Sequence, residues 1–306
     1  MRTIGASVRL VAAAVVAGIA LVAPTSAQAA PAPTSAPAAA VPDLAAAAPV
    51  TKGWNNWSCT PSAAHPRPVV LVHGLGATDV LNFAVLAPRL VSAGYCVFSQ
   101  TYGTTYYPAV GGLAPMEQSA AQLGTFVDRV QAATGSTKVD IVGHSEGTTV
   151  PAYYLKFLGG AQEVGTFVGF GSNFAGTTLS GLGSLARAIG FQPILDAGGC
   201  TACSQFLPGS DFMNRLNDGG NAVAGPRYVS IMSKLDTIVT PYTSGTLTTT
   251  TGADITNVVL QDYARWDFVG HLGQAIDPNV VNLVLHHLDP QRTPLARAVP
   301  FTTFGV

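Results

Sequence analysis

The stretch "KVDIVGHSEGTT", residues 138–149, limits what this chain can fold into more than any other part of it. An apolar run, Val139 to Val142, leads straight into Gly143-His144-Ser145-Glu146-Gly147, and a helical pattern follows through Tyr153, Tyr154, Leu155 and Leu158. A serine between two glycines where a strand stops matches G-x-S-x-G, a sharp strand-to-helix turn that lifts a hydroxyl above the edge of a sheet. The glycines leave room for neighbouring strands and the helix to approach. The motif therefore predicts a sheet as well as a reactive serine.

The remaining chain supplies that sheet. Candidate strands lie at 68–72, 95–100, 139–142, 165–170, 227–232 and 255–260, and candidate helices near 83–93, 114–134, 148–158 and 278–288. This alternation predicts an α/β fold with a mostly parallel sheet and helices on both faces. The Val- and Ile-rich strands fit burial on both faces. Between the fourth and fifth strands, residues 172–226 exceed an ordinary connection. Leu179, Leu182, Leu185 and Ile189 are spaced there like one face of a helix, which suits either a cap over the sheet or a helical crossover. No internal repeat, phosphate-binding glycine loop or metal-binding histidine pair is visible.

At the N-terminus, Arg2 and Arg9 flank an apolar run over 10–22, and Ala27-Gln28-Ala29 fits the small-x-small cleavage rule. The run is shorter than the roughly 20 residues that span a bilayer comfortably. Residues 1–29 are thus expected to be a signal peptide, cleaved after Ala29 for secretion. The Ala/Pro-rich segment 30–52 buries too little apolar surface to offset its ordering entropy and reads as a linker. Residues 53–306 then form the catalytic domain. With 16 Asp+Glu against 15 Lys+Arg, and only 10% charged residues, the chain has no basic stripe for nucleic acid. Four cysteines in an exported chain favour disulfides. Of three pairings, Cys59–Cys96 and Cys200–Cys203 are expected; a four-thiolate zinc site is the competing reading, but only one close Cys pair exists.

A serine hydroxyl needs a base to take its proton and a carboxylate to orient that base. Around this turn type both follow the serine beyond strand ends, acid first. Asp236 follows strand 227–232, and His271 follows strand 255–260. The expected set is Ser145 as nucleophile, His271 as base and then acid, and Asp236 as orienter. His65, His144, His286 and His287 are rivals for the base, and Asp254, Asp262, Asp267 and Asp277 for the acid; Asp140, inside the strand, suits a structural role. Two N–H donors must meet the oxyanion. His73-Gly74-Leu75-Gly76, after the first strand, supplies the Leu75 N–H, and the residue after the serine supplies the Glu146 N–H. A carboxylate beside an oxyanion is unfavourable, although the first turn of a helix welcomes negative charge. The Glu146 side chain is therefore expected to turn outward or to find a local partner.

Taken together, "CTPSAAHPRPVVLVHGLGA", "AGYCVFSQTYG", "KVDIVGHSEG", "YYLKFLGGA", "GSDFMNRLN", "VTPYTSG" and "NVVLQD" resemble the small secreted actinobacterial lipases and esterases of the alpha/beta-hydrolase superfamily, from about Cys59 to Pro290. The resemblance implies an alpha/beta-hydrolase fold and a carboxylic ester hydrolase that needs no cofactor, acts on acylglycerols or other lipid esters, and makes transient contact with a lipid interface. It assigns the same roles to Ser145, Asp236, His271, Leu75 and Glu146. The chain departs from the relatives' usual glycine-histidine-serine-glutamine-glycine at Glu146. Phe174, Leu179, Leu182 and Phe206 are candidates to line the acyl pocket. Two alternatives keep the fold: a cell-envelope acyltransferase using the same triad, and a secreted binding protein without activity.

Overall fold

The computed structural model describes residues 53–106, 108–178 and 198–302. In chain order the elements are β1 (Val69–Val72), α1 (Asp79–Asn82), α2 (Leu86–Ser92), β2 (Val97–Ser99), α3 (Met116–Thr134), β3 (Val139–His144), α4 (Glu146–Phe157) and β4 (Val164–Phe170). There follow α5 (Thr201–Gln205), α6 (Asp211–Asn217), β5 (Arg227–Met232), β6 (Asp254–Val259), α7 (Leu260–Tyr263) and α8 (Pro278–Leu288).

Among the described residues, six strands form one sheet in the order β2-β1-β3-β4-β5-β6, and every neighbouring pair is parallel. The chain winds one way from β1 to β2 and the other way from β3 onward. Ligands of such sheets bind beyond the carboxyl ends of the strands where the direction switches, here between β1 and β3. This is where "VVLV" and "VDIVGH" deliver their following loops.

Successive side chains of a strand point to opposite faces, and the two cores divide accordingly. Val70 and Val72 join Ile141, Val127 and Leu155 in the layer under α3 and α4. Val69 and Leu71 join Val142, Val168, Leu90 and Val284 under α2 and α8. Phe167 stands edge-on to Phe174 at 6.3 Å and to Tyr228 at 6.0 Å, a geometry worth about 0.5–1.5 kcal/mol per pair beyond area burial. β6 departs from the expected burial on both faces: it is the edge strand, its residues half-buried and Asp254 and Asn257 exposed.

Both expected disulfides form. Cys59–Cys96 links the segment before β1 to the start of β2, and Cys200–Cys203 closes the first turn of α5. All four cysteines are thereby used, which removes the zinc reading. A cross-link over 37 residues removes about 4 kcal/mol of chain entropy from the unfolded state. Two disulfides point to an oxidising compartment outside the cytosol. The described part of the 172–226 connection packs on the α3/α4 layer. Lys156 of α4 donates to the carbonyls of Leu216, Asp218 and Gly220 at 2.8, 2.6 and 2.7 Å, capping α6 with a cation.

Candidate active site

β3 ends at His144, and Ser145 then takes φ 55 and ψ −122, a region that costs a non-glycine residue about 1–3 kcal/mol. Close packing holds it there. A Cβ on Gly143 would overlap the Gly147 carbonyl, and one on Gly147 would overlap the Val72 carbonyl, so helix and strands meet only because both residues are glycine. The Ser145 N–H donates to the Phe170 carbonyl at 3.0 Å, and Thr148 Oγ1 donates to the Ser145 carbonyl at 2.7 Å.

Asp236 lies in the turn after β5, where Ser233 Oγ donates to the Val269 carbonyl and ties that turn to the His271 loop. Its Oδ1 accepts from the N–H groups of Ile238 and Val239, at 3.0 and 2.7 Å. Its Oδ2 meets His271 Nδ1 at 2.7 Å and accepts from Gln274 Nε2 at 3.2 Å. On the other side of the ring, His271 Nε2 is 2.8 Å from Ser145 Oγ. All three residues are buried. With Nδ1–H given to the carboxylate, Nε2 presents its lone pair to the serine hydroxyl, the tautomer that can take a proton.

The loop after β1 is fixed beside the serine. The Gly74 N–H donates to Asn82 Oδ1 at 2.9 Å, and Gly76 N–H to the Gly111 carbonyl at 2.9 Å. A Cβ on Gly74 would stand 3.1 Å from Ser145 Cβ, so Leu75 follows at the serine's side. Glu146 opens α4, and its N–H is one of the first-turn amides that have no acceptor inside a helix. His144 bridges the two loops: Nδ1 lies 3.0 Å from Asn82 Oδ1 and Nε2 lies 3.3 Å from the His271 carbonyl. Burial, then the nearby His271, pushes the His144 ring down to about 3, so it stays neutral and structural.

These residues front an apolar cleft of about 250 Å³, with Leu75, Phe206, Ile238, Val239 and Leu272 among its walls. Phe206 is thus at the cleft. Phe174 is not: it is fully buried in the core against Phe167. Leu179 and Leu182 lie outside the described residues. The other rivals have their own partners. Asp140 pairs with Arg67 at 2.7 Å, Asp262 with Lys234 at 2.6 Å, and Asp267 and Asp277 lie buried around Asn279. His65 packs against the Tyr95 ring, while His286 and His287 sit on α8. Asn82 and Gln274 escaped the sequence reading, because nothing local marks a buried amide as the support of a distant loop. Among the described residues, no group of three or more His, Cys, Asp or Glu side chains could hold a metal ion.

Glu146 contradicts the expectation for its side chain. It neither turns outward nor finds a partner: the residue is wholly buried, and neither carboxyl oxygen has a hydrogen-bond partner among the described residues. The helix turn that welcomes negative charge lies inside the protein here, where desolvation outweighs the helix-end field.

A family model described as lipase (class 2) matches residues 66–277, from the segment before β1 to the start of α8. The chain belongs to the class 2 lipase family. Two triacylglycerol lipases, from Pseudarthrobacter phenanthrenivorans and Burkholderia plantarii, are each 37% identical to this chain over 99 residues. The match covers 30% of this chain but only 28% and 25% of those relatives, so the chain spans about a quarter of their length. Among solved structures, lipase B of Aspergillus fumigatus superposes with a TM-score of 0.60 at 20% identity, covering 75% of this chain and 55% of that one. The lipase BlEst2 of Bacillus licheniformis in its propeptide form gives 0.52 at 19% identity, covering 79% and 53%. These likenesses establish the alpha/beta-hydrolase fold.

Proposed function

We propose that this class 2 lipase is a carboxylic ester hydrolase that cleaves acylglycerols or other lipid esters through an acyl-enzyme. The observation that carries the reading is the hydrogen-bond chain from Asp236 through His271 to Ser145, at 2.7 and 2.8 Å, fronting an apolar cleft. Ser145 Oγ attacks the ester carbonyl carbon while His271 Nε2 takes the hydroxyl proton. The tetrahedral oxyanion accepts from the Leu75 and Glu146 N–H groups, and losing one such donor costs about 10²–10³ in kcat. The C–O bond then breaks and the alcohol leaves with the proton from His271. Water repeats the sequence on the acyl-enzyme and frees the acid, with Ser145 regaining its proton. Asp236 holds the ring in register and stabilises it while charged.

Apolar side chains at the cleft suit a lipid substrate. Leu272, one of its walls, is 58% exposed, and Leu81, beside the cleft residue Asn82, is 74% exposed. The disulfides and the charged-then-apolar leader at 1–29 support secretion, with 30–52 as linker and 53–306 as the catalytic domain. The test is initial rates on p-nitrophenyl esters from short to long acyl chains, for the protein and for Ser145→Ala. Rates at background in the variant alone support the reading; equal rates in both proteins would remove Ser145 from the chemistry. Transfer to an added alcohol in preference to water would move the reading to an acyltransferase.

A further inference from the structure

The Glu146 side chain has no part in the steps above, yet it occupies a closed space beneath the loop that carries Leu75. A Cβ added to Gly112 would overlap Glu146 Oε2 and stand 3.0 Å from Leu75 Cα, so the carboxyl, Gly112 and Leu75 are packed in one layer. Gly112 has φ +73 and no side chain, and this lets the carboxyl reach that layer.

The backbone donors of this layer are already engaged. Gly112 N–H donates to the Tyr102 carbonyl at 2.8 Å, Gly76 N–H to the Gly111 carbonyl at 2.9 Å and Gly111 N–H to the Ala77 carbonyl at 3.0 Å. The Tyr102 hydroxyl donates to the His73 carbonyl at 2.8 Å. His73 lies 2.9 Å from the Gly74 carbonyl through Nδ1 and accepts from Tyr102 N–H through Nε2 at 3.2 Å, a pattern that requires a neutral ring protonated at Nδ1. Burial pushes His73 down to about 4, raises the Tyr102 hydroxyl, and holds Glu146 well above the usual carboxyl range. With His144 also neutral, no cation among the described residues answers this carboxyl.

A buried carboxylate without a partner is far more costly than the un-ionised acid. Ionised, Glu146 would also set a negative charge beside the oxyanion that its own N–H is to hold. We propose that Glu146 acts as an un-ionised carboxylic acid, a positioning residue whose side chain supports the layer of Gly112 and Leu75 and so aims the Leu75 N–H at the oxyanion. This rests on the acyl-transfer reading above.

The test compares the full chain with Glu146→Ala, Glu146→Gln and Ser145→Ala on p-nitrophenyl butyrate at pH 7, with circular dichroism to check folding. Glu146→Ala is expected to lower kcat about 10–100-fold with KM within about twofold, because a displaced donor weakens transition-state more than ground-state binding. Glu146→Gln, neutral and of the same shape, should bring kcat back to within about threefold of the parent. The infrared spectrum of the parent minus that of Glu146→Gln should contain the C=O stretch of an un-ionised carboxyl. The proposal is overturned if Glu146→Gln is as slow as Glu146→Ala, if Glu146→Ala matches the parent, or if the difference spectrum carries carboxylate bands. Should Glu146→Ala not fold, the Glu146→Gln rate against the parent and the spectrum decide. If instead the parent fails to hydrolyse, or Ser145→Ala matches it, the acyl-transfer reading is what fails.

Discussion

Two buried carboxyl groups flank the same serine, and their surroundings are opposite. Asp236 accepts four hydrogen bonds, from Ile238, Val239, His271 and Gln274, which fill the acceptor positions of an ionised carboxylate. Glu146 accepts none from the described residues. Burial alone does not decide what a carboxyl does; the donors that reach it do. At Asp236, a tight turn aims backbone N–H groups inward. At Glu146, the adjacent N–H groups of Gly111 and Gly112 are tied to carbonyls.

The strongest way to break this comparison is Asp236→Asn. Keeping the shape but offering an amide should favour the wrong His271 tautomer and lower kcat by about 10⁴-fold, read by stopped-flow ester hydrolysis with the far-ultraviolet dichroism unchanged. A smaller loss would mean that the ring is oriented mainly by its neighbours.

Asp277 offers an intermediate case. Its Oδ1 accepts from Asn279 N–H at 2.7 Å while Oδ2 has no partner among the described residues. Burial and the neighbouring Asp267 push it up to about 8 from an ordinary 3.8. The native state keeps a proton that the unfolded chain releases above about pH 4, so this contribution to stability is full below that pH and is lost as pH rises through 8. Asp277→Asn should flatten the decline, its stability gaining on the parent's steadily as pH rises across the window, as read by denaturant midpoints at stepped pH. Parallel curves for the two proteins would place the proton elsewhere.

Gly112→Ala sharpens the case of Glu146. The new Cβ meets the carboxyl at a φ of +73, so a loss of about 1–3 kcal/mol in thermal or denaturant unfolding is expected. Adding Glu146→Ala to it should restore part of that loss, a coupling that a double-mutant cycle measures. The smallest effect belongs to Gln274, which also accepts from Gly171 N–H at 3.0 Å. Gln274→Ala leaves three of the four bonds at Asp236 and should lower kcat about tenfold, the worth of one such hydrogen bond.

Much of this was legible in the chain itself. The β5 run 227–232 and the α8 pattern 278–288 have the bounds that their periodicity and breakers suggest, and β3 runs into the elbow as "KVDIVGHSEG" requires. The order of Ser145, Asp236 and His271 nominated three residues that the sheet brings within hydrogen-bond distance. Phe174 was not legible: an aromatic after a strand end has the same pattern whether it faces a cleft or packs on Phe167.

The sequence by itself determined the alternation of strands and helices and the strained serine turn, because periodicity and turn glycines act over a few residues. Only the tertiary structure decided that donors surround Asp236 and that none of the described residues bonds to the Glu146 carboxyl. Gly112 and Tyr102 reach Glu146 from a distant part of the chain, and Gln274 reaches Asp236 from 38 positions away. Whether a buried carboxyl keeps its charge depends on which donors arrive around it, and the sheet's winding order brings them there.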